Sequence, residues 1–314
     1  MSISSIRIRT GSRLHLGLLS VPGADAATLG WRSFGGAGLM IEAPALSVRV
    51  EPANEWSAEG PAHQRALDFA RQTSDRPLRV IVEGFPEEHV GLGSGTQLAM
   101  AVALAVRMSL GETPEPLTLA AEMGRGARSG LGVHGFIHGG FLVDGGKGPT
   151  TAVAPLLARQ PFPSAWGILL ATPQHEHGLA GASEREAFAQ LARQAAETVQ
   201  SEALCRLVLL GILPALLEQD LAAFGEAMFE FNYRAGLLFK ASQGGAYRSP
   251  AATALVAELR GAGIRGVGQS SWGPTIFAIE DPERLARMAV QLRDRHPGLD
   301  VKVTEARNRG WESC

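Results

Sequence analysis

Alternating apolar and polar residues predict strands in the first third of the chain. Successive side chains of a strand point to opposite faces of a sheet. This period of two occurs in residues 3–9, 46–50 and 78–82. Apolar residues spaced three and four apart predict helices at residues 62–72, 97–110 and 117–125. The middle helix is the most apolar of the three, so we expect it to be buried.

The second half of the chain is richer in predicted helices. An uninterrupted apolar run at 166–172 predicts a buried strand. Helices are predicted to follow at residues 183–200, 202–219, 221–233 and 250–262. The chain then continues with a strand at 275–279, a helix at 282–295 and a strand at 299–304. This order of elements predicts an α+β fold with helices on one face of the sheet.

The length of the chain favours two domains. Its 314 residues exceed what one ordinary hydrophobic core holds. The segment 155–163 bears prolines and has no periodicity, which is typical of a connection between domains. We therefore expect one domain at 1–158 and a second at 159–314.

Glycine-rich stretches interrupt the predicted elements. Residues 23–38 form a long loop, and long loops inside compact domains are usually functional. Residues 124–148 contain two short apolar runs among many glycines, which predicts a hairpin whose backbone approaches a ligand. A third such loop occupies residues 266–274.

Composition and charge exclude several classes of protein. The apolar fraction is 45% and the charged fraction 19%, as in globular proteins with a sizeable core. The formal net charge of -2 gives no overall attraction to nucleic acid or to anionic membranes, so anion binding must be local. The first residues lack the apolar stretch of a signal peptide, and we expect a cytoplasmic enzyme. Only two cysteines are present, and their positions predict neither a disulfide framework nor a metal site.

The segment 91–97, Gly-Leu-Gly-Ser-Gly-Thr-Gln, is the strongest candidate for ligand binding. Gly91, Gly93 and Gly95 let the backbone turn its N–H groups inward, and the helix that follows adds its free N-terminal amides. Ser94 and Thr96 add hydroxyl groups, so we predict a phosphate-binding loop. The loop lacks the lysine of the Walker pattern and the spacing of the dinucleotide fingerprint. The alternative is a glycine-rich turn in which Thr96 only caps the helix.

Basic residues cluster in the second glycine-rich stretch. Arg125, Arg128, His134 and His138 lie within fourteen residues, in a chain whose net charge is close to zero. Arginine suits a multiply charged anion because its planar fork donates two hydrogen bonds at once. The alternative is that both arginines only complement the dipole of a preceding helix.

Other candidates are less specific. Arg13 and His15 lie two apart on a predicted strand and so face one side of it, as paired cations or as a solvated strand face. Asp144 could bind magnesium or abstract a proton, although Asp-Gly-Gly is also an ordinary tight turn, which we favour. Glu184 begins a predicted helix, where an acid can bind a metal or stabilise the helix dipole. Trp272, in the third glycine-rich loop, is either a lid over an aromatic ligand or part of the core.

Four segments and one strand resemble the GHMP kinase superfamily, and within it the branch of beta-ribofuranosylaminobenzene 5'-phosphate synthases. The strand contains Arg13-Leu14-His15, and with the four segments the resemblance spans almost the whole chain. The segments are 91–97, 124–133 (Gly-Arg-Gly-Ala-Arg-Ser-Gly-Leu-Gly-Val), 138–146 (His-Gly-Gly-Phe-Leu-Val-Asp-Gly-Gly) and 266–274 (Gly-Val-Gly-Gln-Ser-Ser-Trp-Gly-Pro).

The resemblance implies a fold and a reaction. The fold is a GHMP-kinase-like α+β fold, with an N-terminal domain like ribosomal protein S5 domain 2 and a ferredoxin-like C-terminal domain. The reaction joins phosphoribosyl diphosphate to 4-aminobenzoate or 4-hydroxybenzoate and releases diphosphate and carbon dioxide, in the biosynthesis of methanopterin-type cofactors. Mg²⁺ would accompany the diphosphate. We also expect a homodimer that binds neither nucleic acid nor membrane, although the sequence does not fix the number of subunits.

Taken with the residue patterns, this reaction suggests roles for individual residues. Catalytic roles are expected for Arg125, Arg128, His138 and Asp144. Ligand binding is expected for Arg13, His15, Gly91, Gly93, Ser94, Gly95, Thr96, Gly268, Gln269, Ser270, Ser271 and Trp272. Metal binding is expected for Ser94 and Glu184.

The chain departs from the kinase pattern in two loops. Gly95, Thr96 and Gln97 stand where the kinases continue with a second serine and small residues. Residues 269–272 replace a nearly continuous run of glycine. These departures put the use of ATP in doubt, but an ATP-dependent small-molecule kinase remains the alternative function. A non-catalytic ligand sensor is the third possibility.

Overall fold

A computed structural model describes residues 4–21, 32–174 and 198–313, and the single positions 176, 178 and 186. The strands are β1 (Ile6–Leu18), β2 (Gly36–Pro52), β3 (Ser57–Glu59), β4 (Leu78–Gly84), β5 (Phe141–Asp144), β6 (Leu156–Gln160), β7 (Gly167–Pro173), β8 (Gly266–Gln269), β9 (Ile276–Glu280), β10 (Leu299–Thr304) and β11 (Glu312–Ser313).

The helices in the described part of the chain are α1 (His63–Thr73), α2 (Ser94–Ser109), α3 (Pro116–Glu122), α4 (Leu131–His138), α5 (Thr198–Leu207), α6 (Leu213–Glu218), α7 (Leu221–Leu237), α8 (Lys240–Gln243), α9 (Pro250–Gly261) and α10 (Pro282–Arg295). One π-helical turn, Val208–Ile212, joins α5 to α6. Helix α10 and strand β10 have the boundaries that the hydrophobic pattern predicts.

The first sheet is built around the long strand β2. One edge of β2 pairs with β1 along most of its length. The other edge pairs with β4 over residues 47–52 and with β5 over residues 36–39. Helix α2 packs on this sheet, and twelve of its sixteen residues are buried, which confirms the expectation from its apolar sequence. The sheet and α2 thus form the scaffold from which the 91–97 loop projects.

The second sheet has the strand order β10-β7-β9-β8, and every pairing in it is antiparallel. Helices lie between β7 and β8 in the chain, and α10 lies between β9 and β10. This is the ferredoxin-like arrangement, as expected for the second half. One buried cluster joins the two sheets, because it contains Leu14 and Leu39 of the first unit together with Ile168, Phe231 and Phe277 of the second.

The boundary between the two units differs from the expected one. The expected division after residue 158 falls inside β6, which pairs with β5 and so belongs to the first sheet. The first unit therefore extends to Gln160, and the second sheet begins at β7. The last described residues return to the first sheet, where β11 pairs with β1 and the buried Arg307 forms ion pairs with Glu42 and Glu312.

The glycine-rich stretch 124–148 is not the predicted hairpin. Its first apolar run lies in helix α4, and only the second forms a strand, β5. Glycines inside α4 let the helix approach its neighbours closely. A Cβ on Gly135 would overlap the side chain of Met40, and one on Gly132 would crowd Thr96 of α2. Their spacing thus serves helix packing.

Two predicted segments fall largely outside the described residues. The helix expected at 183–200 is described only at its end, and the loop expected at 23–38 only from residue 32. Residues 36–38 of that loop belong to β2.

Among the described residues, the helical stretch Gln200–Glu218 is long and apolar enough to cross a membrane, with a mean hydropathy of 1.5. One of its faces packs on the core through residues four apart, Leu204, Val208, Ile212 and Leu216. This spacing is typical of a helix that covers a hydrophobic core on one side.

Candidate active site

A cavity of about 590 Å³ lies between the two units. Its first wall comes from β1, α1 and the loops before α2 and α4. Its second wall comes from α7, the residues that follow α7, and the loop after β8. A cavity of this size is typical of sites for small-molecule ligands and cofactors.

The expected phosphate-binding loop forms part of the first wall. Helix α2 begins at Ser94, with Gly93 as its N-cap at φ 71° and no side chain capping it. Thr96 is therefore inside the first turn and is not the cap. The N-terminal amides of α2 need acceptors, and the residues around them line the cavity. This end of the helix is suited to bind an anion.

Strand β1 and the loop after β8 are joined to this loop by hydrogen bonds. The amide of Arg13 donates to the carbonyl of Leu92, 3.0 Å away. The hydroxyl of Ser270 donates to the carbonyl of Gly91 at 2.8 Å and accepts from the amide of His15 at 3.0 Å. These bonds fix the loop against β1 and against the second unit.

The cavity is strongly cationic on its first wall. Four arginines line it: Arg13, Arg65, Arg125 and Arg128. No aspartate or glutamate lines the cavity among the residues that the structure describes. Burial lowers the pKa of Arg125, and the nearby charge of Arg65 lowers it further, as expected when cations converge. The wall therefore holds positive charge that a polyanion would neutralise.

Contacts outside the cavity hold two of these arginines in place. The guanidinium of Arg125 lies over the ring of Phe69, with its carbon 4.9 Å from the ring centroid. The guanidinium of Arg65 forms an ion pair with Glu88, whose side chain is not part of the lining. The wall is thus partly pre-organised before a ligand binds.

His15 lines the cavity with Arg13, as the strand spacing predicts, but it is not a second cation. Burial lowers the pKa of His15 well below its ordinary value of 6.5, and the charge of Arg13 lowers it further. The imidazole is therefore neutral near pH 7 and serves as a polar, uncharged part of the wall.

Asp144 lies behind the cavity wall, not in it. Its carboxylate is completely buried and accepts from the hydroxyl of Ser129 at 2.8 Å and from the amides of Gly130 and Gly146 at 3.0 and 2.9 Å. Burial raises the pKa of this carboxyl group. Asp144 thus anchors the end of the loop that carries Arg125 and Arg128, and the structure does not place it where it could abstract a proton from a ligand.

The two histidines of the basic cluster also lie away from the cavity. His134 is buried, and its Nε2 lies 2.7 Å from the carbonyl oxygen of Ala154. His138 is exposed and stacks on His134, with 6.2 Å between ring centroids. The structure therefore separates the expected group of four cations, and only the two arginines face the ligand space.

The end of β8 and the loop that follows it form part of the second wall. Gln269, Ser271 and Trp272 line the cavity as expected, but Gly268 and Ser270 do not. Ser270 is completely buried and joins β1 to the 91–97 loop through its hydroxyl. Gly268 packs against Asn232 of α7, where no larger residue would fit. Both residues position the wall without contacting the ligand space.

The sequence interpretation missed several lining residues. Asn232 of α7 donates to the carbonyls of Leu16 and Gln269 at 2.6 and 2.9 Å and accepts from the amide of Gln269 at 2.9 Å. Arg65 was assigned only to a helix, and no local motif marks it. Phe239 and Gln243 also line the second wall and were missed.

The metal-binding expectation has limited support in the described residues. Ser94 lines the cavity, whereas Glu184 lies outside the described residues. No group of three or more metal-ligating side chains occurs in the described part of the chain. Mg²⁺ prefers carboxylates or substrate phosphates. The described lining offers hydroxyl and side-chain amide groups but no carboxylate, so it does not form a protein-held Mg²⁺ site.

Comparison with known families and structures identifies the class. Residues 62–140 match the model described as GHMP kinases N terminal domain, and residues 212–298 match GHMP kinases C terminal. The structure is similar to homoserine kinase from Cytophaga hutchinsonii, with a TM-score of 0.72, 15% identity and coverage of 99% of this chain and 98% of that one. Mevalonate pyrophosphate decarboxylase from Streptococcus pyogenes gives a TM-score of 0.68 at 13% identity, with 98% of each chain covered. The fold is thus that of the GHMP kinase superfamily.

Curated relatives narrow the assignment within this superfamily. Beta-ribofuranosylphenol 5'-phosphate synthase from Methanothermobacter thermautotrophicus is 32% identical over 96% of this chain and 97% of its own length. The protein of the same name from Archaeoglobus fulgidus is 32% identical over 98% of this chain and 99% of its own. The chain belongs to the family of beta-ribofuranosylphenol 5'-phosphate synthases.

Proposed function

We propose that the protein transfers a phosphoribosyl group from phosphoribosyl diphosphate to 4-hydroxybenzoate or 4-aminobenzoate. The products are a ribofuranosyl-arene 5'-phosphate, diphosphate and carbon dioxide, in methanopterin-type cofactor biosynthesis. The curated relatives are named for a ribofuranosylphenol product, which favours the hydroxy acid. The single observation that carries the proposal is the cationic wall, in which four arginines and the N-terminus of α2 line one cavity.

The cationic wall fits the donor because the donor carries two phosphorylated ends. The diphosphate binds at the amides of 91–96, with Arg125 and Arg128 donating to its oxygens. The 5'-phosphate binds to Arg13 and Arg65 on the same wall. Neutral His15 lies beside Arg13 and adds a polar contact without charge.

The reaction depends on stabilising a leaving group. As the bond from the anomeric carbon to the diphosphate breaks, its electron pair leaves with the diphosphate and the ribose becomes cation-like. Fixed guanidinium groups and helix amides stabilise the developing negative charge, which is the largest contribution in many enzymes. A cavity between two units also limits the access of water, which would otherwise trap the sugar.

The aromatic acid supplies the nucleophile. The ring carbon that bears the carboxylate attacks the anomeric carbon, helped by electron donation from the para hydroxyl or amino group. The bond to the carboxylate then breaks, carbon dioxide leaves, and its electron pair restores the aromatic ring. Holding both reactants in one cavity can lower the barrier by about 7 kcal/mol or more.

Mg²⁺ enters this proposal as a companion of the substrate. Because the described lining lacks carboxylates, the ion would arrive on the diphosphate of the donor, with its remaining sites filled by water. The hydroxyl of Ser94, at the N-terminus of α2, is one described lining group that would approach it.

The test compares two sets of substrates with the purified protein. Phosphoribosyl diphosphate plus each aromatic acid is expected to give diphosphate and carbon dioxide in equal amounts, and only when the acid is present. ATP plus candidate alcohols is the parallel reaction for the kinase alternative. Release of ADP without arene-dependent carbon dioxide would overturn the proposal, and release of neither would favour a sensor.

A further inference from the structure

The second wall of the cavity is aromatic and uncharged, in contrast to the first. The rings of Phe239 and Trp272 meet edge to face, with 4.4 Å between their centroids and 68° between their planes. Ala235, Gly236 and Ala246 are further apolar residues of this wall, which also carries Gln269 and Ser271. A flat aromatic ligand gains most from such a surface, since aromatic rings prefer edge-to-face and offset contacts.

The backbone fixes Trp272 before any ligand binds. The amide of Ser271 donates to the carbonyl of His15 at 2.9 Å, and the amide of Gly273 donates to the carbonyl of Ser270 at 2.9 Å. Trp272 therefore projects from a loop that is tied on both sides. A pre-formed surface of this kind avoids the entropy cost of ordering a side chain on binding.

Gln243 adds a polar group close to the two rings. Its amide donates to the carbonyl of Phe239 at 3.0 Å, so the two residues lie one helical turn apart, a spacing that places their side chains on the same face. Its side-chain nitrogen Nε2 donates to the carbonyls of Gly236, Gly245 and Ala246 at 3.0, 3.0 and 3.1 Å. Gln243 itself lines the cavity.

The orientation of the Gln243 amide follows from these partners. All three are carbonyl oxygens, which only accept, so the atom facing them must be the nitrogen. Its two N–H groups are shared among three acceptors and have no capacity left for a ligand. The group that Gln243 offers to a ligand in the cavity is therefore the acceptor Oε1.

We propose that Oε1 of Gln243 accepts a hydrogen bond from the para hydroxyl or amino group of the aromatic acid, whose ring lies against Phe239 and Trp272. This inference rests on the proposed function and assigns the specificity residue for its second substrate. Both para groups are donors, so one acceptor serves either acid, whereas an acid without a para donor leaves Oε1 unsatisfied.

This placement also orients the arene for reaction. With its para group at Gln243, the ring directs its carboxylate end towards the arginine wall, where the donor binds. The hydrogen bond to Oε1 strengthens electron donation from the para atom into the ring as the ring carbon bonds to the anomeric carbon. The proton remains on the para group, and no atom of Gln243 is consumed.

The test measures preference between two acids of similar shape. In wild type, KM is measured for whichever of the two proposed acids is turned over. The inhibition constant is measured for 4-methylbenzoate, which lacks a para donor, and the ratio of the two constants gives the preference. The wild type is expected to prefer the donor-bearing acid about 5- to 10-fold. In Gln243→Met this preference should fall to about one, since the acceptor is lost.

Two further variants separate recognition from structural damage. Gln200→Met is the matched control, because Gln200 also donates to a carbonyl of α7, that of Arg234, but does not line the cavity. It should keep the wild-type preference. Trp272→Leu should weaken the binding of both acids by a similar factor, since the contact with the ring does not depend on the para group.

The outcomes distinguish this inference from the proposed function. If wild type forms product and Gln243→Met keeps the wild-type preference, the inference is overturned and the proposed function stands. If wild type shows no preference for the donor-bearing acid, the inference is overturned in the same way. If wild type forms no product from either acid, the proposed function fails and the inference fails with it.

Discussion

At the scale of single residues, the two walls of the cavity differ in charge: among the residues described, one carries arginines and the other only uncharged residues. Arg13, Arg65, Arg125 and Arg128 line one wall. No acid is among the described residues of the lining, and Glu88, which pairs with Arg65, lies outside it. Burial among these cations explains why the pKa of Arg125 is lowered and why His15 is neutral. A ligand with several negative charges removes this repulsion, so the wall gains stability when the ligand binds.

The first prediction concerns Arg125. Replacement by alanine removes a charged hydrogen-bond donor to the diphosphate, which is worth about 1.5–3 kcal/mol, or a 10- to 100-fold loss in kcat/KM for the donor. The matched control is Arg79→Ala, since Arg79 is paired with Glu59 on the outer surface. In steady-state kinetics, Arg79→Ala should keep the wild-type kcat/KM for the donor. Equal kinetics in Arg125→Ala and wild type would contradict the cationic assignment.

The second prediction concerns His15 and pH. Because its pKa is lowered on folding, the unfolded chain binds more protons than the folded protein below the ordinary pKa of 6.5. His15 therefore contributes to a fall in unfolding free energy as the pH is lowered from about 6.5. Chemical denaturation at several pH values should show a shallower fall in His15→Gln. An identical pH dependence in both proteins would show that His15 is not held neutral.

At the scale of elements, the approach of the 91–97 loop to the loop after β8 determines the site. Gly91 has φ 89°, a conformation that favours glycine, and a Cβ there would overlap the carbonyl oxygen of Ser270. The sequence pattern predicted the loop and the helix that follows it. It did not predict that the second loop would lie against the first, because that contact joins residues about 180 positions apart.

The third prediction uses this contact. Gly91→Ala should lower the unfolding free energy by about 1–3 kcal/mol or more, since it combines a strained φ with an overlap that backbone atoms cannot relieve. It should also weaken donor binding, because the helix amides are displaced. Gly261→Ala is the control: Gly261 ends α9 with open space around it, and alanine there should stabilise by about 0.5–1 kcal/mol. Denaturation midpoints that fall in Gly91→Ala and rise in Gly261→Ala would support the account. An unchanged midpoint in Gly91→Ala would contradict it.

Element boundaries show where local sequence information is sufficient. Helix α10 was predicted to the residue because it is amphipathic and begins with a capping aspartate, Asp281. Helix α4 was missed because its glycines suggested a loop. Those glycines allow close packing against Met40 and Thr96, which a local pattern does not reveal.

At the scale of the whole molecule, the two units share a core and a cavity. Residues that connect the two units belong to no local sequence motif, and Asn232 is the main example. Its side chain is buried and joins α7 to β1 and β8 through three hydrogen bonds. The family resemblance predicted the fold of both units. It did not identify Asn232, Phe239 or Gln243, since these residues lie outside the four segments that carry the resemblance.

The fourth prediction tests this link. Asn232→Ala should lower the unfolding free energy by about 3 kcal/mol, because each buried backbone group left without a partner costs about 1–3 kcal/mol. It should also raise KM for both substrates, since both walls of the cavity shift. Calorimetry and kinetics on the same preparation would test this. An unfolding free energy of Asn232→Ala equal to that of wild type would contradict the role assigned to Asn232.

The most direct test of the central claim is a crystal structure of the protein soaked with phosphoribosyl diphosphate. The account predicts that the diphosphate lies within hydrogen-bond distance of the amides at 91–96 and of Arg125 and Arg128. A donor bound outside this cavity, or with its diphosphate remote from the N-terminus of α2, would contradict the account.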